Sequence, residues 1–136
     1  MHRGIVLAAV LGCVLTVSGC GDAKVLHAGG VSVLVAAPSG DSMAAEFRGE
    51  LAVVGDCAGA GDAVVIWPHG TKVVRADPLT LDIPGVGHVT VGERFEMGGG
   101  FVYESSDATE SAPAVFGDKV AIPEGCRGRD LWVAAS

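Results

Sequence analysis

Apolar residues in this chain recur at every second position or in short unbroken runs, which are the two patterns of β-strands. Leu79–Ile83 alternates apolar and polar residues, and Arg94–Met97 does the same before three consecutive glycines. Ala63–Trp67 is continuously apolar, which predicts a buried strand. No window of ten or more residues after residue 20 has a convincing helical period. The pattern therefore predicts a mainly β protein.

Glycine- and proline-rich segments separate these runs. Pro68–Thr71 and Pro84–Gly87 are turn sequences, because proline cannot donate to a strand ladder and glycine permits the turn. Gly55–Asp62 is expected to be a loop, and Gly98–Gly100 predicts a bulge or sharp bend within a strand. Five or six short strands favour a small barrel, OB-like or SH3-like, over a sandwich of about seven strands.

The beginning of the folded part leaves alternatives open. Phe47, Leu51 and Val53 are expected on one face of a strand, with Val54 on the other. Val31–Val35 has strand character, but a turn- and linker-rich sequence follows it. We favour a flexible tether over residues 20–44 and a β-barrel domain over residues 45–136. The alternative is that Val31–Val35 docks as an extra strand on the barrel edge.

The first 19 residues have the layout of a secretory signal peptide. Met1–Arg3 is a short cationic start, Ile5–Val17 is mostly apolar, and two small residues precede Cys20. The apolar run is shorter than the ~20 residues that a transmembrane helix needs. We expect residues 1–19 to be removed as a lipoprotein signal peptide. An ordinary signal peptide or an uncleaved anchor are the alternatives.

Val17–Cys20 resembles a bacterial lipobox. The resemblance implies cleavage before Cys20, lipid such as palmitate on that cysteine, and a chain held at the cell membrane on its extracytoplasmic side. Each buried acyl CH₂ adds about 0.8 kcal/mol of membrane affinity, so one acyl chain anchors only marginally. Bacterial lipoproteins carry more than one chain, so the resemblance implies firm anchoring.

The net negative charge of the chain argues against a nucleic acid partner. Removing Arg3 with the signal leaves 8 Lys and Arg against 16 Asp and Glu, which moves the net charge from −7 to −8. No cluster of basic residues occurs in the chain. Because an acidic chain repels phosphate backbones, we expect no nucleic acid partner.

Two cysteines remain for the folded part once Cys13 leaves with the signal and Cys20 carries lipid. Cys57 and Cys126 are expected to form a disulfide in an oxidising compartment. In the chain-entropy model, such a long loop gives roughly 4 kcal/mol of stabilisation. The alternatives are a redox couple, for which the close Cys-x-x-Cys spacing is missing, and metal ligation, which needs further ligands.

Several short motifs also resemble a set of small actinobacterial secreted proteins and lipoproteins. The most specific is the Trp-Pro-x-Gly-Thr turn at residues 67–71. The resemblance spans residues 47–133 and rests further on Gly49-Glu50-Leu51, Cys57, Val91-Gly92, Gly98–Gly100 and Cys126. It supports the fold prediction and implies no activity.

Catalysis is not expected. No serine lies in a Gly-x-Ser-x-Gly elbow, and no pair of carboxylates is singled out for glycoside hydrolysis. The histidines lack metal-ligand spacing, so we predict neither a metal nor any other cofactor. A small hydrolase is the least favoured alternative.

The aromatic residues suggest where binding occurs. Trp67 and Trp132 lie in strand runs and are expected to anchor the core. Phe101 and Tyr103 border a polar loop, and His69 lies in the Trp-Pro turn, so these three form the candidate binding face. The predicted function is a lipid-anchored, non-catalytic module that binds an envelope protein. The alternative is a lipoprotein that binds a small ligand or a metal ion.

Overall fold

The computed structural model of this chain describes residues 22–38, 45–103, 115–116 and 120–135. These residues form a mainly β fold with one short 3₁₀ helix at Glu124–Cys126. The strands are β1 Lys24–Ala28, β2 Val31–Val35, β3 Ala45–Val54, β4 Cys57–Ala60, β5 Ala63–Trp67, β6 Lys72–Ala76, β7 Leu79–Ile83, β8 Gly87–Thr90, β9 Arg94–Tyr103, β10 Val115–Phe116, β11 Val120–Ala121 and β12 Leu131–Ala135. The prediction of a mainly β protein is confirmed.

The main sheet is ring-like. Its order is β1-β2-β4-β3-β9-β12-β5, and β5 also pairs with β2 and β4. The β2–β5 pairing is parallel and joins the two sides of the sheet, so six strands form a ring with β1 beside β2. The β12–β5 pairing is parallel as well, whereas β3 pairs antiparallel with both β4 and β9.

The first core cluster lies where the ring meets a separate three-stranded antiparallel sheet, β6-β7-β8. Leu81 and Ile83 of that sheet pack in the same cluster as Trp67 and Trp132. The ring centroid of Phe47 lies 4.1 Å from that of Trp132. Trp67 donates a hydrogen bond from Nε1 to the carbonyl of Ala58 at 3.3 Å, so its one polar group is satisfied. Both tryptophans are core residues, as predicted.

β5 is buried on both faces, which explains its unbroken apolar sequence. Val65 and Trp67 belong to the first core cluster, whereas Val64 and Ile66 belong to a second one. The second cluster lies on the other face of the strand and includes Phe116, Ile122 and Leu131 from the C-terminal part of the chain. The prediction of a buried strand at Ala63–Trp67 is confirmed.

The disulfide between Cys57 and Cys126 is present and spans 69 residues of sequence. It joins the first residue of β4 to the 3₁₀ helix just before β12, and both cysteines are buried in the second core cluster. Beside it, the Asp56 amide donates a hydrogen bond to the Gly125 carbonyl at 3.2 Å. The predicted pairing is confirmed, and it connects the region after β3 to the region before β12.

The favoured tether is wrong for residues 24–35. β1 and β2 form an antiparallel hairpin, and β2 lies within the ring rather than at the edge of the fold. Val33, Leu34 and Val35 are fully buried. Because successive side chains of β2 point to opposite faces, this apolar segment contributes to both core clusters. The folded domain therefore begins before Ala45. Val31–Val35 is an extra strand, as the alternative proposed, but it lies within the ring and not on its edge.

Two local predictions also fail. Residues 57–60 were expected in a loop but form β4, because the small side chains of Cys-Ala-Gly-Ala permit a tight hairpin. A Cβ on Gly59 would collide with the carbonyl of Ala63 in β5. Val53 was expected with Leu51 in the core but is 45% exposed, whereas Val54 is only 5% exposed. Val53 points to the same side of β3 as Leu51 but is not covered by the first core cluster, whereas Val54 points to the other side and packs in the second cluster.

The glycine run does not interrupt its strand. β9 continues through Gly98–Gly100 and pairs with β3 on one side and β12 on the other. The register irregularity falls after it, where Phe101 and Tyr103 pair with adjacent residues of β12. Gly99 is required because the Trp132 ring and the Val133 carbonyl occupy the space that a Cβ would fill.

Candidate functional site

The outer face of the β3–β9 pair carries charged side chains at every second position. Phe47, Gly49 and Leu51 of β3 point toward the core, so the residues between them point outward. We call the outward residues the β3–β9 charged face: Glu46, Arg48, Glu50, Arg94 and Glu96, all of them exposed. The register places Arg48 opposite Glu96 and Glu50 opposite Arg94.

Arg48 is held between two glutamates. Its Nη2 lies 2.8 Å from Oε1 of Glu46, and its Nε lies 3.0 Å from Oε2 of Glu96. The Arg48 side chain is 73% exposed, so these pairs are solvated and contribute little to folding stability. Their effect is to fix the direction of the guanidinium rather than to hold the sheet together.

The two glutamates beside Arg48 interact with each other, and their pKa values shift in opposite directions. A hydrogen bond with Glu96, followed by contact with Arg48, lowers the pKa of Glu46. The same hydrogen bond with Glu46 raises the pKa of Glu96, and it outweighs the opposing effect of Arg48. The hydrogen bond between them keeps Glu46 ionised and lets Glu96 hold its proton to higher pH.

A cleft of about 610 Å³ opens along this face. It is lined by Arg48, Gly49, Glu50, Arg94, Phe95 and Glu96. Gly49 and Phe95 pair across the two strands and lie between the charged pairs. Within the described ranges, no ion pair or hydrogen bond engages the guanidinium of Arg94, although Glu50 is opposite it in register. Among the described residues, the cleft thus offers Arg94 as a cation without a partner, beside Arg48, which two glutamates already neutralise.

The residues of the predicted binding face do not come together. His69 is exposed in the turn after β5, which the Thr71 hydroxyl closes by donating to the Pro68 carbonyl at 2.8 Å. The backbones of Phe101 and Tyr103 lie opposite Trp132 and Leu131 in β12. Leu131 in turn pairs with Val64, five positions before His69, or roughly 16 Å along an extended strand.

The charged face was missed by the sequence reasoning, although part of its signal was visible. Glu46, Arg48 and Glu50 alternate with inward residues, and Arg94 and Glu96 do the same. Such alternation usually marks a solvated strand face. Only the pairing of β3 with β9, some 48 residues apart at Arg48 and Glu96, turns two ordinary strand faces into one cleft.

The titratable groups form no metal-binding cluster in residues 22–38, 45–103, 115–116 and 120–135. There, no three His, Cys, Asp or Glu side chains approach closely enough to hold a metal ion. His88 and Asp82 are 4.0 Å apart and largely exposed. Cys20 lies outside the described residues.

Comparison with known proteins adds no relative. No protein-family model, no curated protein and no solved structure matches the chain. In the part of the chain that the structure describes, no helix is long and apolar enough to cross a membrane. Function is therefore argued from the β3–β9 charged face and from the N-terminal sequence.

Proposed function

We propose that this chain is a lipid-anchored cell-envelope protein whose β domain binds an envelope protein without catalysing a reaction. The signal-like residues 1–19 and the lipobox-like Val17–Cys20 support the anchor and the extracytoplasmic location. The disulfide supports an oxidising compartment. The resemblance to small actinobacterial secreted proteins and lipoproteins is part of the same proposal.

The proposal includes a closed barrel. Six strands joined in a ring, with apolar residues packed on the inner side, support a small barrel of the predicted strand number. The OB-like or SH3-like topology stays a prediction.

The observation that carries the binding function is Arg94 in the β3–β9 cleft, whose guanidinium has no ion pair or hydrogen bond with any residue that the structure describes. Arg48 is already neutralised by two glutamates, so Arg94 is the cation left for a partner's carboxylate. Glu50 lies opposite it and favours a basic group in the partner next to that carboxylate. Such alternating charges give specificity and steer association more than they add affinity.

Site-specific crosslinking in living cells tests this function. A photo-crosslinking residue at position 50 is expected to capture one defined envelope protein, because Glu50 lines the cleft. Arg94→Glu is expected to abolish that crosslink by reversing the charge that the partner meets. Arg75→Glu is the matched control, since Arg75 is also an exposed arginine on a strand but lies in the β6-β7-β8 sheet.

Loss of the crosslink in both charge-reversal variants would contradict a specific role for Arg94. A crosslink that persists in both variants would show that the partner binds without using Arg94, which contradicts binding in the cleft. A crosslinked partner that is lost only with Arg94→Glu supports the proposal.

A second candidate, binding of a small ligand, is favoured by the size of the cleft. Its volume of about 610 Å³ falls in the range of about 300–1,000 Å³ that ligand pockets occupy. Thermal unfolding with a panel of small carboxylates checks it. An increase in Tm that disappears in Arg94→Ala but persists in Arg75→Ala would favour this candidate over a protein partner.

A further inference from the structure

We propose that the end of the domain nearest the N terminus rests against phospholipid headgroups. We call it the anchor end and define it by Lys24, Ala36, Ala37, His69 and Lys72. The inference depends on the proposed lipid at Cys20. Beyond that anchor, it states that the domain has a fixed orientation, with one surface facing the bilayer.

The length of chain between the lipid site and the fold carries the inference. Ala23 is buried in the second core cluster, and β1 begins at the next residue. Only Gly21 and Asp22 separate Ala23 from Cys20. Three residues span at most about 11 Å when fully extended. An acylated Cys20 would therefore hold the domain within about that distance of the headgroups, in contrast to the long tether that the sequence suggested.

The strand register determines which surface lies beside the anchor. Lys24 pairs with Val35, and Val35 pairs with Trp67 of β5. The Ala36 amide donates to the Trp67 carbonyl at 2.8 Å, so the chain after β2 stays at the same place. The start of β1, the end of β2 and the end of β5 are thus neighbours.

The turn that follows β5 extends this surface. His69 and Lys72 come immediately after Trp67 in the chain, and both are exposed. β6 packs beside β1, and its last residue, Ala76, lies near Gly29 just after the end of β1. The first residue of β6, Lys72, therefore lies toward the start of β1, and the turn before it belongs to the anchor end.

Charge permits this contact. Two of the three lysines of the sequence, Lys24 and Lys72, lie at the anchor end. The carboxylates near them are Asp22 and Asp82, the latter opposite Lys72 in register and 4.0 Å from His88. Among the residues named here, two lysines face two aspartates, so their charges cancel. Anionic headgroups within a Debye length of about 10 Å would meet these lysines as well as the carboxylates.

The orientation leaves the β3–β9 cleft accessible. In the ring, β9 is three pairings from β2 in either direction, and β3 is separated from β5 by β4 on one side and by β9 and β12 on the other. The cleft therefore lies on two strands that take no part in the proposed contact, which uses β1, β2, the end of β5 and the start of β6. A partner could bind there while the domain stays at the membrane surface.

Fluorescence quenching on vesicles tests the orientation. The lipidated full-length protein is prepared as His69→Cys and as Asp62→Cys, each labelled with a fluorophore and placed in phosphatidylglycerol–phosphatidylethanolamine vesicles that carry nitroxide headgroups. Asp62 is exposed at the other end of β5, roughly 16 Å away along the strand. The label at position 69 is expected to be quenched about twofold or more over the label at position 62, because a tether of this length restricts the domain.

A lengthened tether supplies the control. Inserting twenty Gly and Ser residues after Gly21 gives a flexible segment with a mean span of about 25 Å, which should equalise the two signals. Equal quenching without the insertion, in protein whose intact mass includes acyl chains on Cys20, would overturn the orientation alone. An intact mass without acyl chains would overturn both the anchor and the orientation. Non-reducing peptide mapping of the Cys57–Cys126 pair verifies that the labelled variants are folded.

Discussion

Arg48 shows how one exposed residue arranges the chemistry of its neighbours. It binds Glu46 and Glu96 at once, and the interaction between the two carboxyls shifts their pKa values in opposite directions. Because folding raises the pKa of Glu96, its contribution to stability is complete below the ordinary glutamate pKa and is lost as pH rises through the raised value. Glu46 acts in the opposite direction, and its contribution is lost as pH falls through its lowered pKa.

Removing one carboxyl should release the other. In Glu46→Ala we expect the pKa of Glu96 to fall toward its ordinary value, because the hydrogen bond that raises it most is gone and Arg48 remains to lower it. Carbon-detected NMR titration of the glutamate carboxyls measures this. Glu50→Ala is the matched control and should leave the Glu96 titration unchanged. An unchanged Glu96 pKa in Glu46→Ala would contradict the hydrogen bond.

Gly99 is a residue whose role depends on an aromatic neighbour. In Gly99→Ala the new methyl would collide with the Trp132 ring and the Val133 carbonyl, so we expect a loss of at least about 2 kcal/mol in the free energy of unfolding. Gly61→Ala is the control. Gly61 has a positive φ of 58° but open space around it, so about 1 kcal/mol is expected. Urea denaturation compares the two, and equal losses would refute the close packing.

At the scale of elements, β5 is the most constrained strand. It has parallel neighbours on both sides, β2 and β12, and apolar residues on both faces. The disulfide connects β4 to the 3₁₀ helix and thereby holds the C-terminal segment over the second core cluster. Its main effect is to restrict the unfolded chain, because it closes a loop of about 70 residues.

Removing both cysteines should therefore destabilise the domain strongly. For the Cys57→Ala, Cys126→Ala double variant we expect a loss of roughly 4 kcal/mol in the free energy of unfolding. Urea denaturation of the two proteins measures the difference, and the double variant avoids a lone reactive thiol. The reduced wild-type protein serves as a second comparison without cavity formation. A loss below about 1 kcal/mol in both would show that the loop is ordered by other contacts.

Elements with large apolar side chains were predictable, and those built from small residues were not. Ala63–Trp67 and Leu79–Ile83 are strands at their predicted positions. Cys57–Ala60 has little intrinsic β-propensity and forms a strand because neighbouring strands approach it closely. The turn-rich sequence after Val35 likewise argued against a strand at Val31–Val35, which is buried only because it pairs with β5.

Some features of the site were likewise predictable from the sequence, and others were not. The disulfide followed from counting cysteines and is confirmed. The β3–β9 cleft depends on a pairing between distant strands that local patterns do not specify. Phe101 and Tyr103 were predicted to bind because they border a polar loop, and His69 because it lies in the Trp-Pro turn, but the strand register does not bring their backbones together.

At the scale of the whole molecule, the N-terminal hairpin fills one side of the ring. β4 pairs directly with the start of β5, and β2 lies between the start of β4 and the end of β5, where the two strands diverge. Without it, Trp67 would lose its cross-strand neighbour Val35, and the first core cluster would open to solvent. The hairpin is thus part of the domain, not an appendage of it.

A truncation series tests this boundary. A chain that begins at Asp22 should unfold cooperatively, whereas one that begins at Ala45, the domain start that the sequence suggested, should not fold. The reason is the loss of three fully buried residues, Val33, Leu34 and Val35. Two-dimensional NMR and urea denaturation distinguish the two chains. A dispersed spectrum from the chain starting at Ala45 would show that the ring closes without β2.

The pairing of β5 with β12 has a consequence for when the chain can fold. Partners in this pairing are 67 positions apart in the sequence, and those in the β2–β5 pairing are 32 apart. Topologies dominated by such distant contacts fold slowly, because chain entropy is lost before the contacts form. During synthesis, the ring stays open until residues 131–135 have left the ribosome. A secretory machinery that threads unfolded polypeptides would therefore receive this chain in a state that it can transport.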